Sequence, residues 1–301
     1  MVSSALYRYL NTEPFRDYVL DSRPDEEKIM IACNAIANAD SILIGAGSGL
    51  STAAGLSYSG KRFQDAIPGF TKKYGITDMY SSSFYPFKTE EEKWAYWARH
   101  VRVNRIDPPA LDLYLQLRKI VGDRYFVITT NVDHQFWKAG FADNRIFAPQ
   151  GDYGLIQCAH ACHDRTYDAV KLFMQMDQAA RDCRIPSYMV PHCPVYGGRM
   201  AMNLRCDQYF VEDQYWHEAA SRYSSFIEEN RKHRVVMLEI GVGFNTPSII
   251  RFPFEHMLKE NRNWMLIRCN PEYPFIPESL SSRAVGLQMD FNTVIEEIGK
   301  R

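Results

Sequence analysis

Short apolar runs ending in glycine or a polar residue alternate along this chain with stretches whose apolar positions recur every three to four residues. The second pattern is that of a helix with one buried face, the first that of a strand covered on both faces. Residues 24–38 predict a helix: Asp25, Glu26 and Glu27 complement the dipole of its first turn, and Ile29, Ile31, Ala32, Ala35 and Ile36 form its apolar face. Asp40 closes it, and residues 41–44 then read as a buried strand stopping at Gly45. Similar runs recur at 125–129, 235–240 and 264–267, with helical patterns at 109–120 and 246–261. Repeated alternation of this kind predicts an α/β fold with a parallel sheet and helices on both faces.

Two stretches break the alternation. Residues 58–107 are aromatic and charged, with a helical pattern over 89–103 that carries Trp94, Tyr96 and Trp97; residues 151–230 hold most of the cysteines and many Tyr and Met residues. Both are expected to be insertions forming a smaller domain. The sheet domain is then built from 24–57, 108–150 and 231–301, with 1–23 as an N-terminal extension. Stripes at 167–176 and 209–216 suit either an apolar acceptor groove or, more ordinarily, core.

Composition narrows the picture. The chain has 301 residues, 46% of them hydrophobic and 24% charged, which is ordinary for a folded protein large enough to divide into two packed units. A net charge of -1 argues against a nucleic-acid partner, which needs a clustered cationic surface. No apolar run reaches the ~18 residues of a membrane span. Residues 1–14 mix Arg8, Asn11 and Glu13 among apolar positions rather than forming a leader core, so no membrane association and a cytoplasmic location are expected. Seven cysteines (Cys33, Cys158, Cys162, Cys183, Cys193, Cys206 and Cys269) are too few and odd in number for a secreted disulfide framework. Cys33, Cys183 and Cys269 read as small buried hydrophobes.

Candidate chemistry begins at Gly45-Ala46-Gly47-Ser48-Gly49, directly after a strand. Glycines there let backbone approach a pyrophosphate, with the N-terminus of the next helix facing the anion. A dehydrogenase fingerprint would place a further glycine at position 52, where this chain has Thr52, so a simple hydride-transfer site is disfavoured.

Together with Leu50-Ser51-Thr52-Ala53-Ala54-Gly55-Leu56, the turn resembles the NAD loop of the sirtuins, with two residues inserted. Three more blocks resemble the same family in order. Thr129-Thr130-Asn131-Val132-Asp133 is similar to its Thr-Gln-Asn-Ile-Asp, Gln150-Gly151 stands where it has His-Gly, and Gly241-Val242-Gly243-Phe244-Asn245-Thr246-Pro247 is similar to its Gly-Thr-Ser loop. Asn270 resembles the residue contacting the adenosine ribose. The blocks run from Ile42 to Asn270. The resemblance implies a Rossmann-type domain beside a small zinc-ribbon-like module, with NAD split as a co-substrate. It implies that Gly45, Ala46, Gly47, Ser51, Gly55, Gly241, Gly243, Phe244, Asn245 and Asn270 bind NAD.

By the same resemblance Asn131 orients the ribose or a water, the plain alternative being a helix cap. Asp133 recognises the nicotinamide carboxamide, the alternative being a solvated acid at a helix start. Gln150 replaces the family's catalytic His; it can still hydrogen-bond ribose but cannot accept a proton near neutral pH. His134 is expected to be structural. The acyl-binding loop also departs: Gly55-Leu56-Ser57-Tyr58-Ser59-Gly60 lacks the family's Asp and Arg, so Tyr58, Arg62 and Phe63 take over its ordering, or the acceptor differs.

Cys158, Cys162 and Cys193 resemble three ligands of the zinc ribbon, with Tyr196 in place of the fourth. Structural zinc needs four N or S ligands. The expectation is therefore a relic without metal, unless His160, His163, His192 or Cys206 completes the set. Sirtuins with Gln in place of His resemble the microbial branch linked to macrodomain hydrolases. That resemblance implies a protein ADP-ribosyltransferase acting on a lipoylated carrier related to the glycine-cleavage H protein, with a role in oxidative stress. An NAD-dependent deacylase and a non-catalytic NAD or ADP-ribose sensor remain open alternatives.

Overall fold

The stretch Ser41–Ala46, an apolar run ending in Gly45 and Ala46, forms a strand buried at five of its six positions, as its pattern requires of a central parallel strand. The computed structural model describes residues 17–299, so the expectations for a leader at 1–14 and for most of the extension 1–23 lie outside the described residues. Eleven strands are described: β1 Tyr18–Val19, β2 Ser41–Ala46, β3 Tyr125–Thr129, β4 Ile146–Phe147, β5 Gly151–Cys158, β6 Thr166–Asp168, β7 Met200–Leu204, β8 Val235–Ile240, β9 Trp264–Cys269, β10 Ile276–Pro277 and β11 Ala284–Leu287. Six of them make a parallel sheet in the order β11-β9-β8-β2-β3-β4. The chain starts at β2, runs outward through β3 and β4, and returns on the other side to β8. The strand order therefore reverses at β2, and the crevice above its C-terminal end is where ligands of open parallel sheets bind.

Helices lie on both faces. Asp25–Asn38, as its pattern predicts, buries Ile29, Ala32 and Ile36, and Asp112–Val121 buries Leu113, Tyr114 and Leu117 in the same cluster as Ile44, Val127 and Leu238. On the other face Arg251–Glu260 packs Phe254 and Leu258 with Leu43, Met237 and Leu266. That helix was expected from position 246, but it starts at Arg251. Pro247 disfavours helical backbone in the residue before it, and the segment is used as a loop at the end of β8.

A second core lies beside the sheet. Here β6, β5 and β7 form an antiparallel sheet that packs with Phe63, Trp94, Tyr96 and Phe173 from the helices of both insertions. The helix Glu90–Val101 is capped by Thr89, whose Oγ1 accepts from the Glu92 amide at 3.3 Å, and continues as a π-helical turn at Arg102–Ile106. One boundary moves. The helix Gln214–Asn230, read from sequence as part of the insertion 151–230, packs instead on the parallel sheet: Phe226 and Tyr223 lie 5.4 and 5.8 Å from Phe126, and Trp216 lies 5.1 Å from Phe147. The stripe at 167–176 is largely core, through buried Phe173 and Met176, whereas Tyr209 and Tyr215 of the second stripe are exposed.

The glycine turn is shaped by its neighbours in the fold. A Cβ on Gly49 would lie 2.6 Å from the Gly241 Cα and 2.9 Å from its carbonyl oxygen, both backbone atoms that cannot swing aside. A Cβ on Gly243 would meet nothing within 4 Å. Gly49→Ala is therefore expected to lower unfolding stability by about 1–3 kcal/mol through overpacking. Gly243→Ala should change it by less than about 0.5 kcal/mol. Urea titration of both variants checks the contrast, and equal midpoints would sink it.

Candidate active site

Strand β2 ends at Ala46, Gly47 turns the chain, and a short helix at Ser48–Ala53 carries Ser51 inward. Strand β3 ends one register position level with β2, Ala46 opposite Thr129, and delivers Asn131 and Asp133 to the same rim. Asn131 is buried, and its Nδ2 donates to the Gly47 carbonyl at 2.9 Å, to Ser51 Oγ at 3.0 Å and to the Tyr114 hydroxyl at 3.2 Å. With its amide nitrogen engaged in this way, the polar atom left over is Oδ1, an acceptor with no partner among the described residues. The following helix, Gln135–Lys138, is preceded by His134, so Asn131 is not its cap.

Ser51 Oγ donates to Asp133 Oδ2 at 2.5 Å and lies 2.8 Å from the Tyr114 hydroxyl. Asp133 Oδ1 accepts from the Gln135 amide at 3.0 Å. Proton order follows from these partners: Ser51 spends its single hydrogen on the carboxylate, so Tyr114 donates to Ser51. Burial raises the Tyr114 hydroxyl pKa well above its ordinary value, which keeps it a neutral donor. Burial also pushes the Asp133 carboxyl up, opposed by the bonds from Ser51 and the Gln135 amide. Asp133 is thus a buried anchor of the network rather than a solvated acid. Tyr114 was not singled out in sequence; it sits on the apolar face of its helix, and only the fold shows its hydroxyl reaching the site.

The remaining candidates line the same rim. Gly55, at φ 98°, follows the short helix. From the end of β8, Gly241, at φ 60°, accepts from the Gly49 amide at 3.0 Å, so the two glycine loops touch backbone to backbone. Phe244 stands edge-on to Tyr273 at 5.3 Å, with the Arg251 guanidinium 4.4 Å from its ring centre. Asn245 is exposed. Asn270 is largely committed to the protein: Nδ2 donates to the Val242 carbonyl at 2.9 Å and Oδ1 accepts from the Glu272 and Tyr273 amides, both at 2.9 Å. Gln150 lies in a turn before β5, half-buried, with no side-chain partner among the described residues; its carbonyl accepts from the Arg205 amide at 3.0 Å. On the acyl-loop side Arg62 is spent on Ser57, Val103 and Asn104, while Tyr58 and Tyr153 join hydroxyls at 2.8 Å.

The cysteines form a fourth group, away from this rim. Sγ of Cys158, Cys162 and Cys193 and a nitrogen of His163 all lie within 4.8 Å of one another. Cys162 Sγ is 3.6 Å from Cys193 Sγ and 3.1 Å from His163 Nδ1, and Cys193 Sγ is 4.0 Å from the same nitrogen. A tetrahedral zinc with bonds of about 2.3 Å to sulfur and 2.0 Å to nitrogen has S···S and S···N edges of ~3.8 and ~3.5 Å. His163 Nε2 is 2.8 Å from the Tyr167 hydroxyl, the outer contact that fixes a ligating imidazole. The amides of His160 and Cys162 donate to Cys158 Sγ, both at 3.4 Å; these bonds outweigh burial and lower its thiol to about 7. The donor set fits zinc, which these four residues would hold. Of the four side chains named as possible completions, His163 is the one in place. Tyr196 is 48% exposed, its ring lying across Gly198.

No protein-family model matches the sequence. The chain is 37% identical over 263 residues to a protein ADP-ribosyltransferase of Staphylococcus aureus (strain Mu50), spanning 87% of this chain and 84% of that one. It is 30% identical over 241 residues, 76% of this chain, to a probable bifunctional ADP-ribose hydrolase/ADP-ribosyltransferase of Fusarium oxysporum f. sp. cubense, of whose length it spans 40%. In fold it is similar to a Sir2 homologue in complex with NAD, with a TM-score of 0.59 at 15% identity over 95% of this chain and 97% of that chain. It is also similar to a Sir2 protein bound to a propionylated peptide, with a TM-score of 0.57 at 14% identity over 91% and 96%.

The protein purified without chelator is expected to carry about one equivalent of zinc, the fourth ligand being His163 rather than Tyr196. His163→Ala should lower both the zinc content by mass spectrometry and the melting temperature, whereas Tyr196→Phe leaves both unchanged. Full metal content in His163→Ala would refute the ligand set.

Proposed function

The chain belongs to the sirtuin-like protein ADP-ribosyltransferases, and on that premise we propose that it splits NAD, releases nicotinamide and transfers ADP-ribose to an acceptor protein. The observation that carries the reading is the free Oδ1 of Asn131 at the rim where β2, β3 and β8 end. Breaking the bond from ribose to nicotinamide builds positive charge on the ribose, and the catalytic requirement is to hold that carbon while a nucleophile approaches its other face. A neutral acceptor locked through its nitrogen on Gly47, Ser51 and Tyr114 suits a ribose hydroxyl or an attacking group. Gly45, Ala46, Gly47, Ser51 and Gly55 on one side, and Gly241, Gly243, Phe244, Asn245 and Asn270 on the other, then bind the rest of the dinucleotide. Asp133 sits beneath the nicotinamide end.

Gln150 supports transfer over deacylation. Deacylation needs a ribose hydroxyl deprotonated near neutral pH, and an amide side chain cannot do this. Transfer needs no base at that position. We further propose a lipoylated carrier related to the glycine-cleavage H protein as acceptor, a cytoplasmic setting and a role in oxidative stress, which rest on the resemblance of the Gln150-bearing branch. The hydrolase joined to a transferase in the Fusarium relative supports a functional link to an enzyme that removes the mark. No described helix is long and apolar enough to cross a membrane.

The test is labelled NAD with the purified lipoylated carrier, native protein beside Asn131→Ala. Label on the carrier, falling about 100-fold in the variant, is the expected result. O-acyl-ADP-ribose from an acyl-peptide with no label transferred would replace this reading with a deacylase, and NAD binding without nicotinamide release would replace it with a sensor.

A further inference from the structure

The two segments carrying Asn131 and Gln150 are joined by contacts that the reading above leaves unused. The Tyr153 amide donates to the Val132 carbonyl at 2.9 Å, and beside it His134 Nδ1 lies 2.6 Å from Asp152 Oδ2. Asp152 is buried, and its other oxygen accepts from Arg105 Nε at 2.5 Å and from the Gly154 amide at 2.6 Å. Burial would raise the Asp152 carboxyl, but His134 and Arg105 outweigh it and hold it below its ordinary range, so it is an anion. An anionic partner accepts from Nδ1–H, which fixes the tautomer of the neutral ring and leaves the lone pair on Nε2. That atom has no partner among the described residues, and the side chain is 30% exposed against 12% for Asp152.

The surroundings are built to hold this one ring. His134 adopts φ 66°, a left-handed conformation that costs a non-glycine residue roughly 1–2 kcal/mol and persists where its surroundings enforce it. Its imidazole is stacked on Trp137 at 4.6 Å and 7°. Arg105 comes from the π-helical turn Arg102–Ile106, a distortion found mostly at functional sites, and its guanidinium lies where a side chain on Gly154 would be. Lys138 Nζ secures that turn by donating to the carbonyls of Arg105, Ile106 and Pro108. The charged groups around the ring are Asp133 on its own turn, Asp152 and Arg105 from the small lobe, Lys138 from the following helix, and Asp143, which accepts from Trp137 Nε1 at 2.7 Å. A plain clamp between lobes would need the Asp152 contact alone, without a second nitrogen left unpartnered on a part-exposed side chain.

We propose that His134, oriented by Asp152 and Arg105, is the proton acceptor for the attacking group of the acceptor protein. The inference rests on the transfer reading and places in the next turn of chain the proton work that Gln150 cannot do. As a side-chain oxygen or nitrogen of the acceptor bonds to ribose C1′, the C1′–N bond to nicotinamide breaks. Its electron pair neutralises the pyridinium ring, and the proton from the nucleophile passes to His134 Nε2 and then to water. Asp152 is a positioning residue.

His134→Gly tests this without straining the backbone, because glycine accepts the left-handed conformation that the histidine must be forced into. Transfer from labelled NAD to the lipoylated carrier should fall by about 10²–10⁴-fold in kcat. Added imidazole should restore much of it. Melting curves of both proteins report folding. A variant that transfers at the native rate overturns the proposal, as does one whose loss imidazole does not restore. No transfer by the native protein would instead overturn the functional reading, and this inference with it.

Discussion

The constraint on which the candidate site depends is the backbone contact between the turn after β2 and the turn after β8. The register sets Ala46 opposite Ile240, so the two parallel strands end level, and the chains leaving them must cross. They do so with the Gly49 amide on the Gly241 carbonyl at 3.0 Å and no room for a methyl group on either Gly47 or Gly49. Hydrogen bonds carry this contact sideways across the sheet. Asn131 bonds the Gly47 carbonyl, the Gly47 amide bonds Ile240, the Gly241 amide bonds Cys269, and Asn270 bonds Val242. The rim of the candidate site is therefore one hydrogen-bonded line across β3, β2, β8 and β9.

Beneath the β8 end of that line is a group of charges with almost no solvent. Glu239 of β8 is in register with Arg268 of β9, and their side chains pair at 2.7 and 2.9 Å, while Arg268 also reaches Glu255 at 2.8 Å. Arg251, fully buried, bonds the Val242, Tyr273 and Phe275 carbonyls. Burial lowers its guanidinium only to about 10, so it stays charged near neutrality. Desolvating such groups commonly cancels the energy of pairing them, so the network is poorly explained as a source of stability. Its geometry explains it better: the carbonyls it holds belong to the 242–244 loop and to the 273–275 segment facing it, and Phe244 rests on the Arg251 guanidinium.

The parallel strands were legible because a strand buried on both faces is mostly apolar, and β2, β3, β8 and β9 are, with one charged residue each in β8 (Glu239) and β9 (Arg268). Strands β4 and β11 passed unnoticed, at two and four residues too short to show a period. The helix 214–230 was read only as part of the insertion 151–230, since composition could not say which surface the segment covers. Resemblance of motifs named Asn131, Asp133 and Ser51, which the fold brings together, whereas Tyr114 reads as core until its hydroxyl is seen among them. Three cysteines announced a ligand group; the fourth member, His163, follows the Cys162 it adjoins, and only the fold chooses it over His160 or His192. The glycines carried the most instructive ambiguity. Spacing could not distinguish room for a phosphate from room for a neighbouring loop, and at Gly47 and Gly49 the neighbouring loop takes it.

The distribution of charge around the candidate site follows from the same architecture. At the ends of β2 and β3 the polar atom left without a partner among the described residues is the neutral Asn131 Oδ1, and the Tyr114 hydroxyl bonded to the same side chain carries no charge. The acid of the network, Asp133, has its oxygens tied to Ser51 and to the Gln135 amide, while burial pushes its carboxyl up. His134 follows Asp133 directly in the chain and meets Asp152 across the seam between the lobes, so the proposed proton acceptor is carried by the same turn that carries the neutral Asn131.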